Sequence, residues 1–199
     1  MDNLNSDNQN YLNRLKQCWI NEKFSPDLLN FEGELVAFIM EQIEEKEKNI
    51  SEDIKNSSHQ FTANLYEMEI ERLKYIIKCY LKIRLKKIEK FYAHILQDDD
   101  EILKLSPNEL KYCKSFSNLL ENHFKKTFLD ALPDVYKENE KENATKPQLD
   151  SYIFCKPKEN IGDYQIDDEE TVEFKINTIY FLRYKPIKFF VESGKIDLI

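Results

Sequence analysis

The segment that decides the fold is residues 65–96, which read LYEMEIERLKYIIKCYLKIRLKKIEKFYAHIL. Apolar residues recur every three or four positions along it, and this period predicts one long α-helix. A helix at the edge of a small bundle needs a single apolar stripe, whereas two stripes predict burial on two sides. This segment has two: the first runs through Tyr66, Ile70, Leu73, Ile77, Leu81, Ile88, Tyr92 and Ile95, and the second includes Met68, Ile76, Tyr80, Ile83 and Phe91.

Two interpretations of the double stripe are open. The helix could be the central member of an ordinary bundle and be covered on both sides by its own chain. Alternatively, one stripe could pack on the chain's other helices while the second meets a partner chain. The pattern alone favours neither interpretation.

Other helices are predicted before this segment. An apolar face predicts a helix over residues 7–21, and Ser25-Pro26-Asp27 has the residue types of a helix start, with a capping serine and a proline in the first turn. Another helix, with the charged run 41–48 facing water, is predicted by the spacing of Leu35, Ile39, Ile43, Ile50 and Ile54.

The chain after the long helix combines a further helix with a β-rich end. Residues 97–101 are a predicted loop, and Ser106-Pro107-Asn108-Glu109 is a predicted capping box whose helix carries apolar residues to Phe128 and ends at Pro133. The period then falls towards two, and after a turn of helix near Pro186 and the Ser193-Gly194 turn a last strand is predicted at 195–199.

These elements predict an α+β fold: an N-terminal helical bundle domain over residues 1–133, a flexible charged linker over 134–148, and a small β-rich domain over 149–199. The linker is predicted because residues 137–143 include no apolar side chain that could be buried. About fifty residues with no disulfide or metal make a marginal folding unit, so we expect the β-rich domain to dock on another surface.

Composition excludes several classes of function. A net charge of -8 and a pI of about 5.1 disfavour a protein that wraps nucleic acid by itself. With three glycines, at 33, 162 and 194, neither a phosphate-binding loop nor a Rossmann fingerprint can form. Residues 1–10 are polar and no apolar run approaches the length of a membrane span, so we expect a soluble intracellular protein.

No catalytic or metal-binding motif is present in the sequence. Cys18, Cys79, Cys113 and Cys155 lie far apart, which disfavours zinc and predicts reduced, mostly buried thiols. His59, His94 and His123 lack a second ligand at metal spacing, so we expect no metal, no cofactor and no enzyme activity. An enzyme whose cysteine and histidine meet only in space remains a hypothesis, which replacement of Cys79 or Cys113 would test.

One basic cluster lies on the long helix. It comprises Lys82, Arg84, Lys86, Lys87 and Lys90, with Lys74 and Lys78 upstream. Three interpretations are open: a strip that contacts phosphates, a strip that pairs with acidic residues of a partner, and a solvated helix face that covers apolar surface. Within the first interpretation, the residues expected to contact nucleic acid are Lys82, Lys86 and Lys90.

Four segments, in order, resemble the Sld-five family of GINS complex subunits. The first is residues 17–29, QCWINEKFSPDLL; the second is residues 67–75 and 80–91 of the long helix; the third is LDSYIF at 149–154; the fourth is LRYKPI at 182–187, followed by GKIDLI at 194–199. Together they cover nearly the whole chain. The chain departs from the family pattern in its short N-terminal tail, its reduced 97–105 loop and the composition of its linker.

The resemblance implies a nuclear, non-catalytic subunit of a heterotetramer with the Psf-one, Psf-two and Psf-three subunits. It further implies that the tetramer joins the MCM ring and the cell-division-cycle protein forty-five in the replicative helicase, with ATP hydrolysis left to the ring. The competing hypothesis from the residues alone is an independent nucleic-acid-binding module that uses residues 82–90.

Large aromatics and arginines are the residues that most often dominate interfaces and cores. The candidates for subunit-interface or core-anchoring roles are mostly of these types, with three other charged residues among them: Trp19, Phe24, Arg72, Tyr80, Arg84, Lys87, Glu89, Phe91, Asp150, Tyr152, Phe154, Arg183 and Tyr184. For Arg72 and Arg84 the two alternatives are bidentate pairing with partner carboxylates and exposed ion pairs within the chain.

Overall fold

The computed structural model describes residues 2–53, 60–127, 144–167 and 170–199. Its first part is helical, with α1 at Asp2–Phe24, α2 at Gly33–Asp53, α3 at Gln60–Ile95, α4 at Asp99–Leu103 and α5 at Pro107–Thr127. Its last part is strand-rich, with β1 at Tyr152–Pro157, β2 at Gly162–Asp167, β3 at Glu170–Phe174, β4 at Tyr180–Arg183, α6 at Tyr184–Glu192 and β5 at Ile196–Leu198. The predicted α+β class, helices first and a small strand-rich domain second, is confirmed.

The chain divides into two compact units, which differ from the domains predicted above. Unit one comprises Met1–Lys23 and Glu32–Lys82, and unit two comprises Phe24–Phe31 and Ile83–Ile199. Helix α3 therefore supplies its first part to unit one and its last part to unit two. The predicted domain limits at 133 and 149 stay a prediction, because Pro133 and residues 134–143 of the predicted linker lie outside the described residues.

Unit one is built on α1, α2 and the first part of α3. The predicted α2 stripe is confirmed where it is described, since Leu35, Ile39, Ile43 and Ile50 are all buried; Ile54 lies outside the described residues. They join one core with Leu15 of α1 and with Ala63, Ile70, Ile76 and Ile77 of α3, against which Cys18 and Trp19 also pack.

The predicted helix start at Ser25-Pro26-Asp27 is wrong, since residues 25–32 form no helix. Side chains of α3 bind the backbone oxygens that a first helical turn would need. Lys87 Nζ donates to the Asp27 carbonyl at 2.6 Å, and Arg84 Nη1 donates to the Leu29 carbonyl at 2.7 Å. Ser25 Oγ accepts from Lys87 Nζ at 2.7 Å and donates to the Asp27 carbonyl at 2.9 Å, so it is not a helix cap.

The predicted loop at 97–101 is wrong in its second part, where α4 begins. Asp98 caps this helix, because its side chain accepts the backbone N–H of Asp100 at 3.0 Å. Asp99, Asp100 and Glu101 fill the first turn, where negative charge is favourable to the helix dipole. The acidic residues from Asp98 to Glu101 therefore form a capped helix start and not a loop.

The predicted capping box before α5 is confirmed. Glu109 N–H donates to Ser106 Oγ at 3.2 Å, and Ser106 N–H donates to Glu109 Oε2 at 2.8 Å. Pro107 is the first residue of the helix, as the sequence predicted. The end predicted at Pro133 and the apolar Phe128 lie outside the described residues.

The strand-rich part contains a three-stranded antiparallel sheet in the order β4-β1-β5 and a two-stranded hairpin of β2 and β3. Helix α6 packs on one face of the three-stranded sheet and buries Tyr184, Ile187, Phe190 and Val191 in a core with Ile153, Cys155, Ile196 and Leu198. The turn of helix predicted near Pro186 is thus part of α6. The predicted last strand is β5, which follows a turn at Gly194 with φ of 73°.

Candidate functional site

The first part of α3 has a buried face. Ala63, Ile70 and Ile77 are buried against the other helices of unit one. Their seven-residue spacing places them one above the other, because two helical turns take about 7.2 residues. This face anchors α3 in its own chain.

A second apolar row lies on the opposite side of α3. An α-helix advances about 100° per residue, so positions 61, 65, 68, 72 and 75 fall on one line, roughly opposite Ala63 and Ile70. These positions hold Phe61, Leu65, Met68, Arg72 and Tyr75, which we call the exposed stripe. Its four apolar members are 77%, 49%, 70% and 62% exposed, in that order. Exposed large side chains in one row are typical of a binding surface.

The two predicted stripes differ in membership from the faces that the structure shows, and cover of the exposed face by a partner chain stays a prediction. Of the second predicted stripe, Ile76, Tyr80 and Phe91 are buried by the chain itself, and Met68 is exposed. Tyr66, assigned to the first stripe, is also exposed. The sequence interpretation missed Phe61, Leu65 and Tyr75, although their alternating spacing of four and three residues to Met68 and Arg72 was a usable signal.

Arg84 occupies a buried polar site in unit two. Its guanidinium donates two hydrogen bonds to the Glu109 carboxylate, from Nε to Oε1 at 2.7 Å and from Nη2 to Oε2 at 3.1 Å. It also donates to the carbonyls of Leu29 at 2.7 Å and Lys104 at 3.0 Å. The side chain of Arg84 is 0% exposed and that of Glu109 is 8% exposed. Arg84 therefore differs from both predicted alternatives: its carboxylate partner belongs to the same chain, and the pair is buried.

A second polar group in unit two holds Asp27, whose side chain is buried. Lys188 Nζ lies 2.8 Å from Asp27 Oδ2, and Glu101 and Glu192 lie further from the same ammonium, at 3.9 Å each. Burial by itself lowers the pKa of Lys188, but the hydrogen bond to Asp27 and the three carboxylates outweigh it and raise this pKa above its ordinary value. Together with Arg84 and Lys87, this contact fixes residues 25–29 without a helix.

The three-stranded sheet presents aromatic side chains on its outer face. Strand β1 alternates, so Ile153 and Cys155 are buried while Tyr152 and Phe154 are exposed. Phe181 of β4 lies opposite Phe154, with ring centroids 4.6 Å apart. Arg183 Nε donates to Tyr152 Oη at 3.2 Å, and its guanidinium lies 5.7 Å from that ring. Two predicted aromatic candidates therefore face outward rather than into the core.

The remaining candidates lie in various environments. Tyr80 and Phe91 of α3 and Tyr184 of α6 are buried, Trp19 is half-buried in the core of unit one, and Phe24 and Asp150 are exposed. Glu89 Oε1 accepts a hydrogen bond from Tyr112 Oη at 2.6 Å, and this bond raises the pKa of the tyrosine. Those of the list that could contact a partner directly are the exposed ones.

The lysines proposed for nucleic acid lie on the surface of α3. Lys82, Lys86 and Lys90 are exposed, and the Lys90 ammonium lies 5.0 Å from the Phe91 ring. Three other members of the basic cluster are bound to the chain itself: Arg84 pairs with Glu109, Lys87 binds residues 25–27, and Lys74 Nζ pairs with Glu47 at 2.6 Å and Glu71 at 3.1 Å. The basic strip is consequently shorter in the structure than in the sequence.

Catalytic features are scarce in the part of the chain that the structure describes. Burial raises the pKa of Cys155 to about 11 and also raises the pKa of Cys113, which disfavours the reactive thiolate at neutral pH. In the described ranges, no three metal-ligating side chains come together, and no helix is both long and apolar enough to span a bilayer.

Two family models match the chain and cover most of it. The helical bundle domain of GINS complex proteins matches residues 38–128, and the C-terminal domain of the DNA replication complex GINS protein SLD5 matches residues 147–199. The first match identifies the class of protein, a GINS-type helical bundle protein. The second, together with the relatives described next, shows that the chain belongs to the SLD5 family of GINS proteins.

The relatives share nearly their whole length with this chain, and each is named DNA replication complex GINS protein SLD5. The protein of Dictyostelium discoideum is 47% identical over 203 residues, which cover 100% of this chain and 96% of the relative. That of Arabidopsis thaliana is 36% identical over 93% of this chain and 89% of the relative. That of Homo sapiens is 35% identical over 94% of this chain and 88% of the relative.

Proposed function

We propose that this chain is a non-catalytic scaffold subunit of a nuclear GINS heterotetramer, in which it binds the Psf-one, Psf-two and Psf-three subunits. The tetramer joins the MCM ring and the cell-division-cycle protein forty-five at the replication fork and is needed for initiation and elongation of DNA replication. Membership of the SLD5 family, whose curated members are named as DNA replication complex proteins, supports the proposal.

The observation that carries the proposal is the exposed stripe of α3. Burying a Phe, Leu or Met side chain contributes about 1.5–3 kcal/mol each, and the stripe offers such side chains in one row on a rigid helix. In the separate chain this surface faces water, which is unfavourable. A partner chain that covers the stripe removes this exposure to water. The stability of the chain should therefore rise with the concentration of its partners.

A non-catalytic role is supported by the chemistry of the described residues. Burial raises the pKa of both Cys113 and Cys155; at Cys113 it outweighs the opposite effect of the nearby Lys114 charge, so neither thiol is activated as a nucleophile. The most desolvated charged group, Arg84, is fully engaged in holding backbone and Glu109. Its role is structural.

Co-expression tests the proposal. The wild-type chain produced with the three Psf subunits should elute as one particle of 1:1:1:1 stoichiometry in size-exclusion chromatography with light scattering. Met68→Asp places a charge on the exposed stripe and should reduce the yield of that particle. Thr62→Asp, which adds the same charge to an exposed position of α3 off the stripe, is the matched control.

The outcome that contradicts the proposal is a wild-type chain that stays a well-behaved monomer in the presence of all three partners. Circular dichroism of each variant separates a loss of folding from a loss of assembly. If Met68→Asp and Thr62→Asp assemble equally well, assembly uses another surface.

Direct contact with DNA is the second candidate function. It is favoured by the exposure of Lys82, Lys86 and Lys90 at four-residue spacing on α3. The affinity for DNA should fall steeply as the salt concentration rises, because about one counterion is released for each phosphate that the lysines neutralise. To measure this contribution, all three lysines are replaced by glutamine and DNA is titrated into the assembled complex at several salt concentrations. If the dependence of DNA affinity on salt is unchanged, these lysines do not contact DNA.

A further inference from the structure

The exposed stripe has the spacing of a coiled-coil seam. Its steps are four, three, four and three residues along positions 61, 65, 68, 72 and 75. An alternation of three and four is the pattern by which one helix packs its side chains between those of a second helix. The surface therefore fits a partner helix that runs along α3, in preference to a strand or a loop.

Arg72 interrupts this seam with a charge. It lies between Met68 and Tyr75 in the row and is exposed, and within the described ranges its side chain makes no hydrogen bond or ion pair. The nearby Glu71 pairs with Lys74 Nζ at 3.1 Å. A partner helix that covers the stripe removes water from Arg72, and an arginine that loses water without gaining a carboxylate is strongly disfavoured.

We infer that the occupant of the exposed stripe is a helix of a different chain, with apolar side chains at coiled-coil spacing and an aspartate or glutamate placed opposite Arg72. This inference rests on the proposed function, because it specifies the partner at the same surface. The acidic residue fixes the register of the two helices, as a single polar residue does in coiled coils. Its contact with Arg72 is a fork of two hydrogen bonds, which the planar guanidinium forms with a carboxylate.

A second copy of this chain fits the stripe poorly. The stripe contains no acidic residue, so a copy packed in parallel would set Arg72 against Arg72, and an antiparallel copy would offer apolar seam residues to it. Like charges opposed across an interface select against that pairing. The charge of Arg72 therefore discriminates in favour of a different, acidic partner helix.

Zero-length cross-linking identifies the carboxylate. Arg72→Lys keeps the charge and supplies an amine, and a water-soluble carbodiimide joins an amine to a carboxylate in contact with it, taking up the water released and becoming a urea. Treatment of the assembled complex that contains Arg72→Lys should give one new interchain amide from position 72, located by mass spectrometry. The same treatment of the wild-type complex, which keeps Lys74 and Lys78, is the control.

Affinity measurements complete the test. Arg72→Glu should weaken the assembly by at least about 30-fold, since truncating a buried interfacial charge pair costs about 2 kcal/mol or more. Replacing the cross-linked carboxylate of the partner by arginine should restore binding to Arg72→Glu. Lys78→Glu, the same charge change at an exposed position of α3 off the stripe, should alter binding by less than about threefold.

Three outcomes overturn the inference. They are an intact complex with no new cross-link from position 72, a new cross-link that joins two copies of this chain, and an equal effect of Arg72→Glu and Lys78→Glu. None of these outcomes contradicts the proposed function, provided that the wild-type chain assembles with the three Psf subunits. Failure of the wild-type chain to assemble with the three Psf subunits refutes the proposed function itself.

Discussion

The buried pair of Arg84 and Glu109 permits a sharp prediction of stability. Arg84→Met removes the guanidinium and leaves a carboxylate, 8% exposed, without its counter-ion, together with the Leu29 and Lys104 carbonyls without their donors. Breaking a buried ion pair from one side costs about 3–5 kcal/mol. That is a large part of the 5–15 kcal/mol that typically stabilises a domain.

The reciprocal change completes a double-mutant cycle. Glu109→Gln keeps an oxygen for the Ser106 N–H but leaves Arg84 charged and buried, so it should also cost about 3–5 kcal/mol. In the double variant neither charge remains, and the main residual cost is that of the two carbonyls, about 1–3 kcal/mol each. With each cost at the middle of its range, we expect the double variant to be destabilised by about 4 kcal/mol less than the sum of the single variants.

Urea denaturation followed by circular dichroism measures the cycle, with the chain at one low-micromolar concentration throughout. The concentration is fixed because association through the exposed stripe would add to the apparent stability. Strict additivity of the two single changes, or a cost of Arg84→Met below about 1 kcal/mol as for an exposed pair, would show that Arg84 and Glu109 are not a coupled, buried ion pair.

Three further changes give smaller, separable effects. Ser106→Ala should lower the free energy of unfolding by about 0.5–2 kcal/mol in the same urea assay, because α5 loses its N-cap; Ser106→Thr, which keeps a cap, is its control, and equal losses would contradict the prediction. The pKa of Lys188 is raised in the folded chain, so its charged form stabilises the fold. This contribution to the free energy of unfolding is complete below the ordinary pKa of 10.5 and is lost as the pH rises through the folded value. The difference in urea midpoint between wild type and Lys188→Met should therefore shrink above that pH, and a constant difference would count against the contact with Asp27. Gly194→Ala should cost about 1–2 kcal/mol through its φ of 73°, while Gly194→Asn should cost less; equal costs would exclude the left-handed backbone as the cause.

Local signals in the sequence predicted much of the fold. The period of α2 and α3 is set by side chains three and four residues apart, and the capping box at Ser106 is closed within three residues. Alternation in β1 likewise depends on adjacent positions. Each of these features needs only neighbours in the chain, which is why pattern alone identified them.

Features that depend on distant residues were the ones missed. Ser25 has the local chemistry of a helix cap, but its hydroxyl accepts a hydrogen bond from Lys87, which lies 62 positions away in the sequence. Arg84 was grouped with surface lysines because its carboxylate partner lies 25 positions away on α5. No local pattern distinguishes a guanidinium that faces water from one that is enclosed.

The exposed stripe shows the same limit at the candidate site. The sequence indicated that α3 carries apolar side chains on more than one side, but it could not tell which of them the chain itself covers. Ile76 is covered and Tyr75, its neighbour, is not. That difference is decided by the packing of α1 and α2, which the period of α3 does not contain.

Photo-cross-linking from the exposed stripe in the assembled complex shows directly whether another subunit covers this stripe. A benzophenone amino acid replaces Met68 in one sample and Glu67, an exposed α3 residue off the stripe, in another. Irradiation should join position 68 to a helix of another subunit in high yield and position 67 to little or nothing. A complex of full composition in which position 68 joins no other subunit, or joins one no better than position 67 does, would mean that no partner helix covers the exposed stripe.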